Sequence, residues 1–274
     1  MSRQLRSPLL PTTPGEWLRC FRSRSQDNES STALDSLSHA LGVSPKTIRR
    51  WETGRAQPSQ QDLINFASFF RLTPLQRHFL NRAFSNMRYG SAPVEPDVLR
   101  EQAIAYLTMA TPAYLLDRFF YVQAWNSLVA GIEGSTIETT HPNFLGRVRT
   151  DPRLRSWAVD HDSLVRNLTA TLWIGSGRAC GMPAYVDTVE ELSRIPGFRE
   201  RWASLAVPAN EGISATDVPH DIDVPHAGRF RLVASKVEFP PTHYLVQYVP
   251  LDDDAWRYVS SLRGCATPKV HFAE

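Results

Sequence analysis

Residues 34–53 read Leu-Asp-Ser-Leu-Ser-His-Ala-Leu-Gly-Val-Ser-Pro-Lys-Thr-Ile-Arg-Arg-Trp-Glu-Thr, and their spacing decides the fold of the first part of the chain. Leu37 and Leu41, four apart, share one face of a helix. Ser38 beside them is small enough for a second helix to cross closely. Gly42 supplies the positive φ of a tight turn between helices, and Val43 plugs the core. Ser44 is an N-cap and Pro45 a first-turn proline, so the second helix starts there. Ile48 and Trp51, three apart, anchor it. This is the pattern of a helix-turn-helix. At about 100° per residue, inward Ile48 and Trp51 leave Lys46, Arg49 and Arg50 facing out. Such a cationic rim suits a DNA major groove, where Arg and Lys donate to guanine O6 and N7 and Thr47 reaches a base or a phosphate. A plain helical hairpin with a solvated basic side would not need the small, glycine and apolar positions together.

Outward from this core, residues 14–26 form a helix with Trp17, Leu18 and Phe21 on one face and Arg19, Arg22 and Arg24 largely on the other. Helices are expected near 33–41, 44–53, 59–70 and 73–84, with Thr73-Pro74 as cap and first turn of the last. The stretch 14–84 resembles the lambda-repressor-like, XRE-type helix-turn-helix family. The resemblance rests on Gly42-Val43-Ser44, Ile48-Arg49-Arg50-Trp51-Glu52, Gly54-Arg55, Pro58, Leu63, Phe66-Ala67 and Phe70-Arg71-Leu72-Thr73. It implies an all-α five-helix DNA-binding domain in which Ser44 to Thr53 enters the major groove and Arg19, Arg22 and Arg55 contact phosphates. Leu34 stands where the family often has a glutamine, a departure that bears on one phosphate contact and not on the fold.

Charge agrees with a basic head. The 274 residues carry 30 Lys+Arg and 28 Asp+Glu, a net of +2. Residues 1–90 hold 13 and 6 of these, a net of +7, so the remainder holds 17 and 22, a net of −5. A positive first third meets a polyanion; a milder body does something else. A 42% apolar share excludes wholesale disorder, and the length suggests two domains. No apolar run approaches the roughly 18 residues of a membrane helix, and the N-terminus lacks a signal-peptide core. Cys20, Cys180 and Cys265 are far apart and odd in number, which suits a reducing cytosol rather than a disulfide framework.

Gly90, Pro93 and Pro96 mark a linker, giving domains of 1–84 and 97–274 joined by 85–96. After a helix from Asp97, residues 113–117 and 120–125 read as a hairpin. Helices near 126–132, 151–159, 162–174, 184–194 and 197–204 follow, then strands near 228–239 and 242–250 and a helix near 253–262. That order is α+β with an antiparallel sheet covered by helices. Its apolar positions are Tyr114, Leu116, Val122 and Trp125 of the hairpin, Leu164, Leu168 and Leu172, Tyr185, Phe198 and Trp202, and Leu245 and Tyr248. Helices over a small curved sheet either fill the space or leave an apolar pocket, and these residues alone do not choose. Asn126 and Asp151 read as helix caps, with Arg155 pairing back to Asp151.

Residues 112–265 resemble the MmyB-like ligand-binding domain of bacterial regulators. The matching pieces are Pro112-Ala113-Tyr114-Leu115-Leu116-Asp117, Ala124-Trp125-Asn126, Asp151-Pro152-Arg153-Leu154-Arg155, Glu191-Leu192-Ser193, Phe198-Arg199, Trp202-Ala203 and Gly228-Arg229-Phe230-Arg231-Leu232. The resemblance implies a PAS-like fold and a long aliphatic ligand such as a fatty acid, bound by the apolar residues named above. Arg178, His243 or a tyrosine would meet a carboxylate head. Pro225-His226 departs from the family's usual histidine-proline order, so His226 is given no role.

Enzyme readings fail on spacing. Gly175-Ser176-Gly177 is not GxSxG, and no GxxxxGK[ST], GxGxxG or HExxH occurs. The histidines are scattered, so no metal or obligate cofactor is expected, and Asp252-Asp253-Asp254 reads as a turn and helix start. The expectation is a cytoplasmic, bacterial, one-component regulator that binds double-stranded DNA as a homodimer with half-sites about 34–36 Å apart, or a multiple of that. A ligand-free dimerisation or protein-docking module is the alternative for the second domain.

Overall fold

Three hydroxyls set helix starts in the basic head. Ser44, Ser59 and Thr73 each accept the backbone N–H three residues on, from Thr47, Asp62 and Gln76. In the last two, the Asp62 and Gln76 side chains answer the cap's own N–H, closing capping boxes. The computed structural model describes residues 10–23, 30–85, 96–134, 141–206, 220–237, 243–264 and 268–273. Most of the expected linker, Arg24 and Cys265 lie outside them.

In chain order the helices of the head are α1 (Pro14–Ser23), α2 (Ser30–Leu41), α3 (Pro45–Glu52), α4 (Gln60–Phe69) and α5 (Pro74–Ala83). Then come α6 (Pro96–Leu107), β1 (Ala113–Leu116), β2 (Val122–Asn126), α7 (Ser127–Glu133), α8 (Phe144–Thr150), α9 (Pro152–Trp157) and α10 (His161–Ser176). The chain closes with α11 (Pro183–Leu192), α12 (Phe198–Ser204), β3 (His220–Val224), β4 (Gly228–Val237), β5 (His243–Pro250), α13 (Asp253–Arg263) and β6 (Val270–Phe272). Two compact units result, Met1–Tyr89 with Thr169–Ala215, and Gly90–Leu168 with Thr216–Glu274.

That division differs from the boundaries read from sequence, because the first unit recruits chain from far downstream. Trp17 on α1 is fully buried, with ring centroids 5.1 Å from Phe79, 5.2 Å from Trp173 and 6.0 Å from Trp202. Phe79 and Trp173 stack at 4.2 Å, and Trp202 continues the cluster to Phe198 and Tyr185. Each such pair adds about 0.5–1.5 kcal/mol beyond area burial. Gln76 donates to the Leu205 carbonyl at 2.8 Å, tying α5 to the end of α12. The sequence pattern marked Trp17, Tyr185, Phe198 and Trp202 as apolar positions but could not say against what they pack, and it did not single out Phe79 or Trp173.

The second unit is built on a six-stranded antiparallel sheet in the order β3-β4-β5-β1-β2-β6. The expected hairpin is present, turned at Asp117, whose Oδ1 accepts the N–H groups of Phe119 and Tyr121. One face packs Ala113, Leu115, Ala124, Val237 and Leu245 against Ala103 and Leu107 of α6. By strand alternation Tyr114 and Tyr248 face the other way. Asn126 caps α7 as read, and does more. Its Oδ1 also accepts the Ala113 N–H, while its Nδ2 donates to the carbonyls of Leu107 and Thr111. Asp151 caps α9, but its ion-pair partner is Arg153, at 2.9 Å, rather than Arg155. Asp252 starts α13 by accepting the Ala255 N–H. The strands β3 and β6 and the helix α8 were not anticipated; β6 is a three-residue edge, too short to carry a pattern.

Candidate functional site

The turn of the helix-turn-helix forms as its residues require. Gly42 has φ +66°, the Val43 N–H bonds the Ser38 carbonyl, and Ser38 Oγ donates to the Val43 carbonyl at 2.5 Å. Ser38 is therefore both a small residue at a crossing and a latch on the turn. Ile48 and Trp51 are buried, whereas Lys46, Arg49 and Arg50 are exposed. The far end of α3 closes in a Schellman motif: the N–H groups of Gly54 and Arg55 bond the carbonyls of Trp51 and Arg50, with Gly54 at φ +71°. This holds Arg55 beside the rim. Lys46, Arg49, Arg50, Thr53 and Arg55 line one open cleft of about 420 Å³, and no acid among the described residues lines it.

Two residues behind the rim were not legible as part of the site. Gly15 lets α1 approach α3 so closely that a Cβ there would lie 2.6 Å from the carbonyl oxygens of Trp51 and Glu52. Glu52, 4% exposed, accepts two hydrogen bonds from Arg22, at 2.6 and 3.0 Å. Arg22 is thus occupied as a brace between α1 and α3, and its side chain is only 14% exposed. The structure gives Arg22, expected to contact phosphate, a partner within the head that the sequence reading did not include. Arg19, 42% exposed and 3.8 Å from Glu52, retains an open flank. Ser44 and Pro45 start the helix, with Ser44 Oγ 2.9 Å from the Thr47 hydroxyl.

The apolar residues proposed for a pocket are divided between the two units. Leu172, Tyr185, Phe198 and Trp202 belong to the first unit and are buried there, the last three in the aromatic cluster around Trp17. Arg178, in a single 3-10 turn, is in that unit too. In the second unit, Leu245 belongs to the face covered by α6, and Trp125 stacks on His271. Leu116, Val122 and His243 are buried strand residues, and Leu168 is half-buried. Of the proposed residues, Leu164 and Tyr248 line a small apolar void of this unit among the described residues, with Phe144, Val148, Leu154, Trp157, Ile222 and Leu232. The void measures about 10 Å³, room for one water at most. His226 packs edge-on against Trp157 and Tyr258.

Beside that void lies a polar cluster that sequence reasoning missed. Arg147 of α8 and Glu133 of α7 are both fully buried and form an ion pair. Arg147 also donates to the Tyr114 hydroxyl at 3.2 Å, and the Tyr248 hydroxyl donates to Glu133 at 2.5 Å. Burial and the Glu133 carboxylate hold both phenols well above their usual range. Burial opposes the charge on Arg147, yet Tyr114, Glu133 and Tyr248 around it keep the guanidinium above its ordinary value. The available signal was Glu133 itself, an acid on the apolar stripe Val129-Ile132-Glu133. Among the described residues no group of three or more His, Cys, Asp or Glu side chains is placed to hold a metal, and no helix is long and apolar enough to cross a membrane.

The sequence profile of the family described as helix-turn-helix matches residues 33–76, and that of the MmyB-like transcription regulator ligand binding domain matches residues 99–262. Comparison with curated proteins gives no match. Both families are regulatory rather than enzymatic. The basic rim on α3 and the antiparallel sheet domain thus have their setting: the chain belongs to the MmyB-like transcription regulators, a DNA-binding helix-turn-helix head followed by a ligand-binding domain.

Proposed function

We propose that α3 reads operator sequence through Lys46, Thr47, Arg49 and Arg50, while Arg55 and Arg19 hold phosphates and Ser44 and Pro45 fix the helix start. The observation that supports this best is the cleft of four cations and one threonine at the exposed face of α3. Phosphate contacts set affinity and register, and base contacts set sequence choice. The protein binds as a cytoplasmic homodimer on a two-fold site. Its second domain takes an aliphatic carboxylate, whose occupancy changes operator affinity by as much as the ligand distinguishes the two states. An apolar void whose lining Tyr248 donates to the buried Glu133–Arg147 ion pair supports that ligand class.

The test is DNA binding across a salt series. Arg50→Ala costs about 1–3 kcal/mol on the preferred site and relaxes sequence choice. Arg55→Ala weakens all sequences alike and lowers the salt slope by about one unit. Equal losses for Arg50→Ala on preferred and random DNA would contradict its role. The small volume of the void favours a second reading, a filled dimerisation module, and native mass spectrometry of the purified protein separates the two by any bound aliphatic mass.

A further inference from the structure

We infer that Arg147 is the residue that receives the anionic head of the ligand, at the position the Glu133 carboxylate now fills. The inference rests on the ligand-binding reading above and deepens it. Three observations carry it. First, the cluster adjoins the void: Phe144 and Val148 of the void share α8 with Arg147, and Tyr248 both lines the void and donates to Glu133. An apolar void next to a guanidinium whose carboxylate partner could be exchanged fits an amphiphile with a single negative head. Second, Arg147 is fully buried, and its Nε has no hydrogen-bond partner in the structure. One donor of the fork remains for a second acceptor. Third, a buried ion pair is a weak source of stability compared with apolar residues of the same volume. Its presence in an otherwise apolar core is better accounted for by recognition.

The geometry makes Glu133 an internal competitor. Its carboxylate takes an Arg147 donor and the Tyr248 hydroxyl, the same donors a fatty-acid head would use. An incoming carboxylate displaces that side chain, and its alkyl chain widens the void between α8, α9, α10 and the sheet. A head without charge has nothing to exchange.

The experiment compares decanoate with decanol, below their aggregation limits, on the full-length protein. Wild type is set against Glu133→Gln and the double variant Glu133→Gln/Arg147→Met, with thermal shift and native mass spectrometry as readouts. Glu133→Gln leaves the buried guanidinium unpaired, so it melts below wild type and recovers with decanoate, not decanol. It binds decanoate about tenfold or more tightly than wild type does. The double variant, which holds no uncompensated charge, keeps its fold even if the single one does not. It binds decanol as wild type does and loses decanoate by a similar factor. If the double variant binds decanoate as tightly as wild type, the Arg147 assignment is overturned while the pocket stands. If wild type binds neither compound, the ligand reading itself fails and this inference with it.

Discussion

Arg22 separates a brace from a DNA contact, and its removal distinguishes the two. Arg22→Ala deletes both hydrogen bonds to Glu52, at 2.6 and 3.0 Å, and leaves that carboxylate buried with Arg19 at 3.8 Å as its remaining partner. Removing one member of a buried ion pair costs about 3–5 kcal/mol. Arg22 keeps 14% exposure and Arg19 can lean in, so the expected loss lies at the low end, about 3 kcal/mol. Urea unfolding followed by tryptophan fluorescence measures it, since Trp17 and Trp51 report on the packed head. The double variant Arg22→Met/Glu52→Leu should recover most of the loss, because neither charge is then left alone. Salt-dependent DNA binding at low temperature is the second readout. A brace leaves the slope of log affinity against log salt unchanged, whereas a phosphate contact lowers it by about 0.9. A variant of wild-type stability whose slope drops by that amount would refute the assignment.

Two further outcomes follow from buried polar groups in the second unit. Asn126→Ala removes two donated and two accepted hydrogen bonds that join α6, β1 and α7, and stability measured in urea should fall by about 2–4 kcal/mol. Burial pushes the Asp117 carboxyl up to about 6 from 3.8, against the backbone donors of Tyr121 and Phe119. A raised folded value means the folded state holds the proton longer, so this group's contribution to stability falls as pH rises from about 4 to about 6 and is level above. Asp117→Asn keeps an acceptor for both N–H groups and should abolish that slope in unfolding measured across the same range.

What was legible in the sequence was local. Ser44, Pro45, Gly42 and the Leu37, Ile48 and Trp51 spacing each act within one helix turn or one loop, and the structure returns them as read. Asn126 and Asp151 as caps belong to the same class. Pairings across the chain were not legible. Arg22 looked like a free cation on a helix because its partner Glu52 lies 30 residues away. Trp202 is buried as its apolar position implied, yet it packs on Trp17 from far earlier in the chain, together with Trp173, which was not singled out. Glu133 and Arg147 escaped notice because α8, Phe-Leu-Gly-Arg-Val-Arg-Thr, contains a glycine and two arginines and does not read as a core helix.

The function proposed for α3 is that its exposed rim chooses the DNA sequence. Selection from a random duplex library by the full-length protein, read by sequencing, tests it most directly. Wild type should enrich one motif with two-fold related halves, and Lys46→Ala and Arg50→Ala should broaden it at defined base pairs. An unchanged motif in both variants, or no motif with wild type at low salt, would contradict the account.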